Sequence, residues 1–185
     1  AGILKFVLKK DSQPMALVLR VNGLNTHSSK GASQSETTLF ESPQGNFVRK
    51  HPLAKCEECP LRERGRMVPS SFPLDSPRSD DDSPRLAFIG EAPGRYEIGK
   101  QEVFIGASGQ LLNAVLDSYG VQREEVFLGN ATLCHYPDSM KKLPDEAIEA
   151  CRPRLEEELR QAGVTTVVPM GNSAIKAVAP ELAKK

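Results

Sequence analysis

Apolar and polar residues alternate in blocks along the second half of the chain. Three short apolar runs predict buried strands, at residues 85–90, 125–128 and 165–170. Stretches with apolar residues three and four positions apart predict helices, at residues 108–119, 144–152, 153–162 and 172–178. We expect Ser108 to cap the first of these helices and Pro153 to separate the second from the third. Strands and helices in this order predict an α/β fold, in which helices cover both faces of a parallel sheet.

The first 50 residues follow a different pattern. Residues 3–9 and 15–21 are short β-prone runs that can pair as a hairpin. Residues 22–46 are rich in Asn, Ser, Thr, Gly and Gln and have little to bury, which is typical of a linker or a mobile loop. We therefore expect an N-terminal extension at residues 1–50 and a separate domain at residues 51–185.

Composition narrows the class of protein. Hydrophobic residues make up 39% of the chain, which is enough for a core, and no run is long enough for a transmembrane helix. The 24 basic and 24 acidic residues give a formal net charge of zero, so any contact with nucleic acid has to come from a local patch. The sequence starts without the basic and long apolar segments of a secretory signal. We therefore expect a cytoplasmic protein that does not associate with membranes.

The four cysteines are candidates for a metal site. Cys56 and Cys59 form a C-x2-C pair, and Cys134 and Cys151 follow much further along the chain. Because the chain carries no secretory signal, we expect reduced thiols rather than two disulfides. Tetrahedral zinc and a [4Fe–4S] cluster both take four thiolates, and the wide spacing of the second pair is unlike a zinc ribbon. Buried free cysteines beside an incidental C-x2-C pair are the alternative.

Polar and aromatic residues follow the predicted strands at the points where ligands bind in parallel sheets. Glu91 comes directly after the first strand and Asn130 follows the second. A carboxylate there can orient water or stabilise a developing cation, and an Asn amide can read the edge of a planar base. Phe104, which lies in a loop before a glycine, can offer a stacking face. Each residue also has an ordinary role, Glu91 as a loop acceptor and Phe104 as core.

Several motifs together resemble those of a known family, over about residues 56–178. They are GEAPGRYE at 90–97, VFIGASGQLL at 103–112, Asn130 followed by Cys134, and CRP at 151–153. In this order and spacing they resemble the family 4 uracil-DNA glycosylases, the iron–sulfur members of the uracil-DNA glycosylase superfamily. The resemblance implies a DNA repair enzyme that hydrolyses the N-glycosidic bond of uracil in DNA.

The resemblance also implies a fold and a set of functional residues. The fold is a three-layer α/β/α sandwich on a four-stranded parallel sheet. The implied ligands of a [4Fe–4S] cluster are Cys56, Cys59, Cys134 and Cys151. The implied substrate-binding residues are Gly90, Ala92, Phe104 and Asn130, where Phe104 stacks on a flipped uracil and Asn130 bonds to its edge. The implied catalytic acids are Glu91, linked to activating or positioning water, and Glu97.

One motif of the family is absent from this sequence. Family members carry a His-Pro-Ser-Pro segment after a fourth strand, and its histidine donates to the uracil oxygen that gains charge. We therefore expect either a piece of a longer protein, incomplete at its C-terminal end, or a chain that has lost part of the catalytic site. In the second case the domain would serve as a DNA-binding or replication-complex module, with a polymerase or another replication protein as its partner.

Overall fold

The computed structural model describes residues 51–63, 66–73 and 85–183, and the backbone of four short strands that precede residue 51. The strands are β1 (Leu4–Phe6), β2 (Leu19–Val21), β3 (Thr38–Glu41), β4 (Phe47–Lys50), β5 (Leu86–Gly90), β6 (Phe127–Asn130) and β7 (Thr166–Pro169). The α-helices are α1 (Arg95–Lys100), α2 (Ala107–Ser118), α3 (Asp145–Gln161) and α4 (Asn172–Val178), and 3-10 helices lie at Cys56–Glu58 and Arg123–Glu125. None of the helices within these ranges is long and apolar enough to cross a membrane.

Strands β7, β5 and β6 are parallel and form the centre of the fold. The register pairs Gly90 with Asn130, so β5 and β6 end at the same level. The α/β fold predicted from the sequence is confirmed. The resemblance implied four parallel strands, whereas the described sheet has three, and the neighbour of β7 on its other side is the antiparallel strand β2.

The predictions for the N-terminal residues have mixed outcomes. The predicted hairpin is confirmed, since Leu4–Phe6 pairs antiparallel with Leu19–Val21. The prediction of a linker over residues 22–46 is wrong for Thr38–Glu41, which pairs antiparallel with Phe47–Lys50 as a second hairpin. The rest of that segment lies outside the described residues. The division into residues 1–50 and 51–185 stays a prediction.

The two faces of the sheet bury two separate apolar clusters. Ala87 and Ile89 point to one face and pack with α3 and α4. Phe88 points to the other face and packs with Leu112 and Leu116 of α2. This alternation follows from the two-residue period of a strand, and it makes β5 apolar on both sides. The result is the expected three-layer arrangement, with helices on both faces of the sheet.

Two predicted helix boundaries are wrong. Ser108 lies inside the first turn of α2, and Gly106 occupies the capping position without a side-chain cap. Helix α3 continues through Pro153 instead of ending there, because the flanking turns are buried against the sheet and this packing outweighs the proline penalty of about 3 kcal/mol. Pro153 has no amide hydrogen to donate to the carbonyl four residues earlier in the helix. One residue further along, the Ala150 carbonyl accepts from the Lys55 amide at 2.9 Å. This bond connects the segment that carries Cys56 and Cys59 to α3.

Phe127 tests how far the core depends on the edge strand β6. Its side chain is fully buried and meets Phe72 edge-on, with ring centroids 5.2 Å apart. We expect Phe127→Ala to lower the free energy of unfolding by about 3–5 kcal/mol, because it leaves a cavity that the sheet cannot close. Leu111→Ala is the matched control, since Leu111 is 69% exposed on α2. Chemical denaturation of the two variants should separate them, and equal effects would contradict the assigned core.

Candidate functional site

A pocket of about 420 Å³ opens where strands β5 and β6 end. It brings together all six residues predicted to bind or act on a substrate, namely Gly90, Glu91, Ala92, Glu97, Phe104 and Asn130. The loop after β5, the first turn of α1 and the loop before α2 form most of the wall, and Met170 after β7 adds to it. Pockets of about 300–1,000 Å³ are typical of small-molecule sites, so this one has room for a single planar base.

Gly90 allows two functional side chains to meet at the floor of the pocket. A Cβ at this position would lie 2.5 Å from the Oδ1 atom of Asn130 and 2.9 Å from the Cζ atom of Phe104. Both distances are shorter than real Cβ contacts, and both neighbours are held in place by the surrounding chain. The Phe104 ring and the Asn130 amide therefore converge over a position that has to be glycine.

Phe104 is held in a strained loop. Its φ angle of 54° lies in the left-handed region that a bulky residue rarely adopts, which is typical of a functional position over-determined by its surroundings. The Phe104 carbonyl would lie 1.9 Å from a Cβ at Gly109, so the loop closes tightly over the start of α2. The Arg123 guanidinium donates to the carbonyl of Phe104 at 3.1 Å and also to that of Val103. The role of Arg123 was not predicted, because nothing local in the sequence marks it.

Glu97 is buried and supports the same loop. Its Oε1 atom accepts hydrogen bonds from the backbone amides of Ile105 and Gly106, at 3.2 and 2.9 Å. Charge-assisted bonds of this kind are stronger than neutral ones, so the carboxylate fixes the backbone beside Phe104. The observed contacts of Glu97 are thus with the protein backbone, although its side chain also lines the pocket.

Glu91 has a different environment from Glu97. It is exposed at the pocket, and each of its carboxylate oxygens accepts one hydroxyl hydrogen bond of 2.6 Å, from Tyr136 to Oε1 and from Ser173 to Oε2. The bond to the carboxylate, together with burial, raises the pKa of Tyr136 to about 12. Since a carboxylate oxygen has two acceptor sites, each keeps one for a water or a ligand. Neither hydroxyl partner was predicted, because they come from distant parts of the chain.

The four cysteines lie around one small cavity, although they come from three parts of the chain. Cys56 and Cys59 lie in and directly after the first 3-10 helix, Cys134 follows β6, and Cys151 lies in α3. None of them forms a disulfide. The fold therefore brings together the four cysteines that were predicted from the sequence to form a metal site.

The chemistry of the cavity decides what kind of centre the four cysteines could hold. Burial, reinforced by the other cysteines, raises the pKa of Cys134 to about 12, so four thiolates would need a cationic centre to stabilise them. Within the described ranges, no group of three or more His, Cys, Asp or Glu side chains is arranged to hold a single ion. Tetrahedral zinc and a [4Fe–4S] cluster both take four thiolates, which is the donor set that the four cysteines offer.

Comparison with known proteins identifies the family. The family model described as the uracil DNA glycosylase superfamily matches residues 77–184, which is more than half of the chain. The chain belongs to the uracil-DNA glycosylase superfamily. The match covers all of the sheet from β5 onward, and with it every part of the pocket. The resemblance noted in the sequence motifs is therefore confirmed.

Several curated members of the superfamily are similar to this chain, and each is named a type-4 uracil-DNA glycosylase. The one from Archaeoglobus fulgidus is 34% identical over 123 residues, which are 66% of this chain and 57% of the relative. The one from Pyrobaculum aerophilum is 31% identical over 136 residues, or 72% and 64% of the two chains. The one from Thermotoga maritima is 30% identical over 124 residues, or 66% and 60%. The chain thus spans less than two thirds of each relative.

The support that Glu97 gives to the Phe104 loop can be tested at two backbone amides. In Glu97→Ala, the amides of Ile105 and Gly106 lose their acceptor, and each such bond contributes about 1.5–3 kcal/mol. We expect hydrogen exchange at both amides to become about tenfold faster or more. Glu97→Gln, which keeps one oxygen, should show a smaller change, and Glu124→Ala should show none. Unchanged exchange in Glu97→Ala would contradict the assigned role.

Proposed function

We propose that the full-length protein hydrolyses the bond between uracil and deoxyribose in DNA. The observation that carries the proposal is the convergence of the Phe104 ring and the Asn130 amide over Gly90, in a chain of this superfamily. An aromatic ring can stack on the face of a planar base while a neighbouring amide forms hydrogen bonds with the edge of the same base. The substrate is therefore DNA that contains uracil.

Binding requires that uracil leave the base stack. Extrusion costs a few kcal/mol, and stacking on an aromatic side chain returns about 1–3 kcal/mol. The buried amide of Asn130 can accept from N3–H and donate to O4 of uracil. Cytosine presents an amino donor in place of O4, which leaves a buried amide group unpaired and disfavours that base. Gly90 and Ala92 contribute close backbone approach at the pocket wall.

Glu91 is the group that we assign to bond cleavage. As the glycosidic bond lengthens, the sugar gains positive charge and the departing uracil gains negative charge. A carboxylate at the pocket stabilises the sugar cation and can orient the water that attacks it. The hydroxyls of Tyr136 and Ser173 fix the orientation of this carboxylate by donating one hydrogen bond to each of its oxygens. Glu97, the second acid of the motif, acts in this proposal by holding the stacking loop.

The four cysteines are proposed to hold a [4Fe–4S] cluster, as the family resemblance implies, with zinc as the alternative that the wide cysteine spacing disfavours. Bound there, the cluster would cross-link the first cysteine segment, the segment after β6 and helix α3. It has no part in the chemical step. Reduced thiolates of this kind agree with a cytoplasmic location, which we also propose.

The alternative of a non-catalytic DNA-binding or replication module is not favoured. The pocket retains its aromatic ring, its amide and an accessible carboxylate together, and the similar curated proteins are named as glycosylases. A scaffold that bound DNA without chemistry would have no need for this combination. No described feature points to a polymerase or another replication protein as partner.

The direct test is release of uracil from a uracil-containing single strand by the full-length protein, measured by alkali cleavage of the resulting abasic site. Gly90→Ala should lower the single-turnover rate by about 10²-fold, because the new methyl displaces both Phe104 and Asn130. The matched control is Gly99→Ala, since a Cβ at Gly99 meets nothing within 4 Å. Absence of uracil release by the unaltered protein, under conditions where it is folded, would refute the proposed activity.

The cluster has its own test, which does not depend on activity. Full-length protein purified without oxygen should contain iron and acid-labile sulfide in equal amounts, with visible absorbance that Cys134→Ala removes. Met67→Leu is the control, because Met67 lines the same cavity and contributes no thiolate. Zinc at one equivalent per chain, without sulfide, would contradict the assignment.

A further inference from the structure

Arg154 is a charged residue in the interior that neither the pocket nor the cysteine cavity uses directly. Its side chain is 0% exposed and belongs to α3, one turn beyond Cys151. A fully buried guanidinium is costly unless its donors are satisfied. The Nη1 and Nη2 atoms of Arg154 make four hydrogen bonds, whereas its Nε has no partner among the described residues. The partners of these hydrogen bonds indicate the role of Arg154.

One side of the guanidinium binds the end of strand β6. The Nη2 atom donates to the carbonyl of Asn130 at 2.9 Å and to that of Ala131 at 3.3 Å. Strand β6 is the edge of the sheet, and the Ala131 amide bonds back to β5 at Gly90. Because successive residues of a strand alternate in direction, the carbonyl of Asn130 points away from β5, and no strand of the described sheet lies on that side.

Elsewhere on the same edge, another segment takes the place of a strand. Leu128 exchanges two backbone hydrogen bonds with Ser71, at 2.8 and 2.9 Å. The same segment bonds to the chain again at Leu133, but within the described residues it makes no backbone hydrogen bond to Asn130. The guanidinium of Arg154 supplies the donor for the Asn130 carbonyl instead. Arg154 thus completes the pairing of the residue whose side chain forms the floor of the pocket.

The other side of the guanidinium is fixed by a buried acid. Nη1 donates to Oε2 of Glu158 at 2.8 Å and contacts the Ser70 hydroxyl at 3.3 Å, and that hydroxyl also donates to Glu158 at 2.8 Å. The second oxygen of Glu158 lies 3.8 Å from Nε2 of His51. The guanidinium is therefore held from both sides and has little freedom to rotate.

We propose that Arg154 is a positioning residue for base recognition. By donating to the backbone carbonyl of Asn130, it sets the depth and orientation of the Asn130 side-chain amide in the pocket. Arg154 does not touch the substrate; it acts through Asn130. The inference rests on the proposed function, because it assigns the edge of uracil to the Asn130 amide. The side chain of Asn130 has only two rotatable bonds, so a shift of its Cα atom moves the amide relative to the base by a similar distance.

The test requires a variant that removes the hydrogen bond from Arg154 to the Asn130 carbonyl without leaving an unpaired charge in the interior. Arg154→Met alone leaves Glu158 buried without its partner and can fail to fold. The double variant Arg154→Met with Glu158→Leu removes both charges and keeps the volume. Arg152→Met is the matched control, because Arg152 lies on the same helix and donates at 3.1 Å to the Lys176 carbonyl, away from the pocket.

Three quantities are measured on full-length protein: the single-turnover rate of uracil release, the inhibition constant of free uracil, and the affinity for a strand with an abasic site. In the double variant we expect the rate to fall and the inhibition constant to rise, each by tenfold or more. Affinity for the abasic strand, which has no base to read, should stay within twofold, and Arg152→Met should match the unaltered protein. A double variant with a lower melting temperature but an unchanged inhibition constant and rate per folded molecule would overturn the proposal.

A spectroscopic measurement separates this inference from the proposed function. In the double variant, the NMR signals of the Asn130 side-chain amide should shift, whereas those of the exposed Gln110 side chain on α2 should not. A shift together with absence of uracil release by the unaltered protein would support the positioning role and refute the activity. Unshifted Asn130 signals would refute the positioning role whatever the activity.

Discussion

The close approach of three residues at Gly90 is the constraint on which the pocket depends. Parallel pairing of β5 with β6 puts Gly90 beside Asn130, and the missing side chain leaves space that the Asn130 amide and the Phe104 ring both fill. The ring reaches that space only because its backbone adopts a positive φ angle, which Arg123 and Glu97 stabilise from two sides. The floor of the pocket is therefore rigid before any ligand binds.

The pocket and the cysteine cavity are connected through the same two elements, the segment after β6 and helix α3. The segment from Asn130 to Cys134 begins at the pocket and ends at the cavity, and helix α3 contacts both of its ends, through Arg154 and Cys151 respectively. A centre that binds all four thiolates would fix the far end of this segment and the start of α3 together. The proposed cluster would in this way support the pocket without taking part in the proposed reaction.

Local pattern predicted the three parallel strands, most of the helices and the four cysteines as candidates for a metal site, whereas Gly90, Ala92 and Glu97 were implied by the family resemblance. Asn130 and Glu91 could be found because parallel sheets bind ligands where their strands end, and the cysteines because of their number and spacing. Contacts between distant parts of the chain could not be found this way. The hydroxyls that hold Glu91 come from residues 45 and 82 positions away, and the grip of Arg154 on Asn130 spans 24. Such pairs are chosen by tertiary packing, which also carries α3 through Pro153 against its local preference.

The two acids of the GEAPGRYE motif show how environment assigns different roles to the same side chain. Glu97 is buried, and its Oε1 atom accepts from two backbone amides, which fixes this carboxylate to the loop beside Phe104. Glu91 is exposed, and the two hydroxyls that bind it fix its orientation while leaving an acceptor site on each oxygen. A motif identifies both positions equally. Only the partners of each carboxylate distinguish the acid that holds a loop from the acid that can act on a sugar.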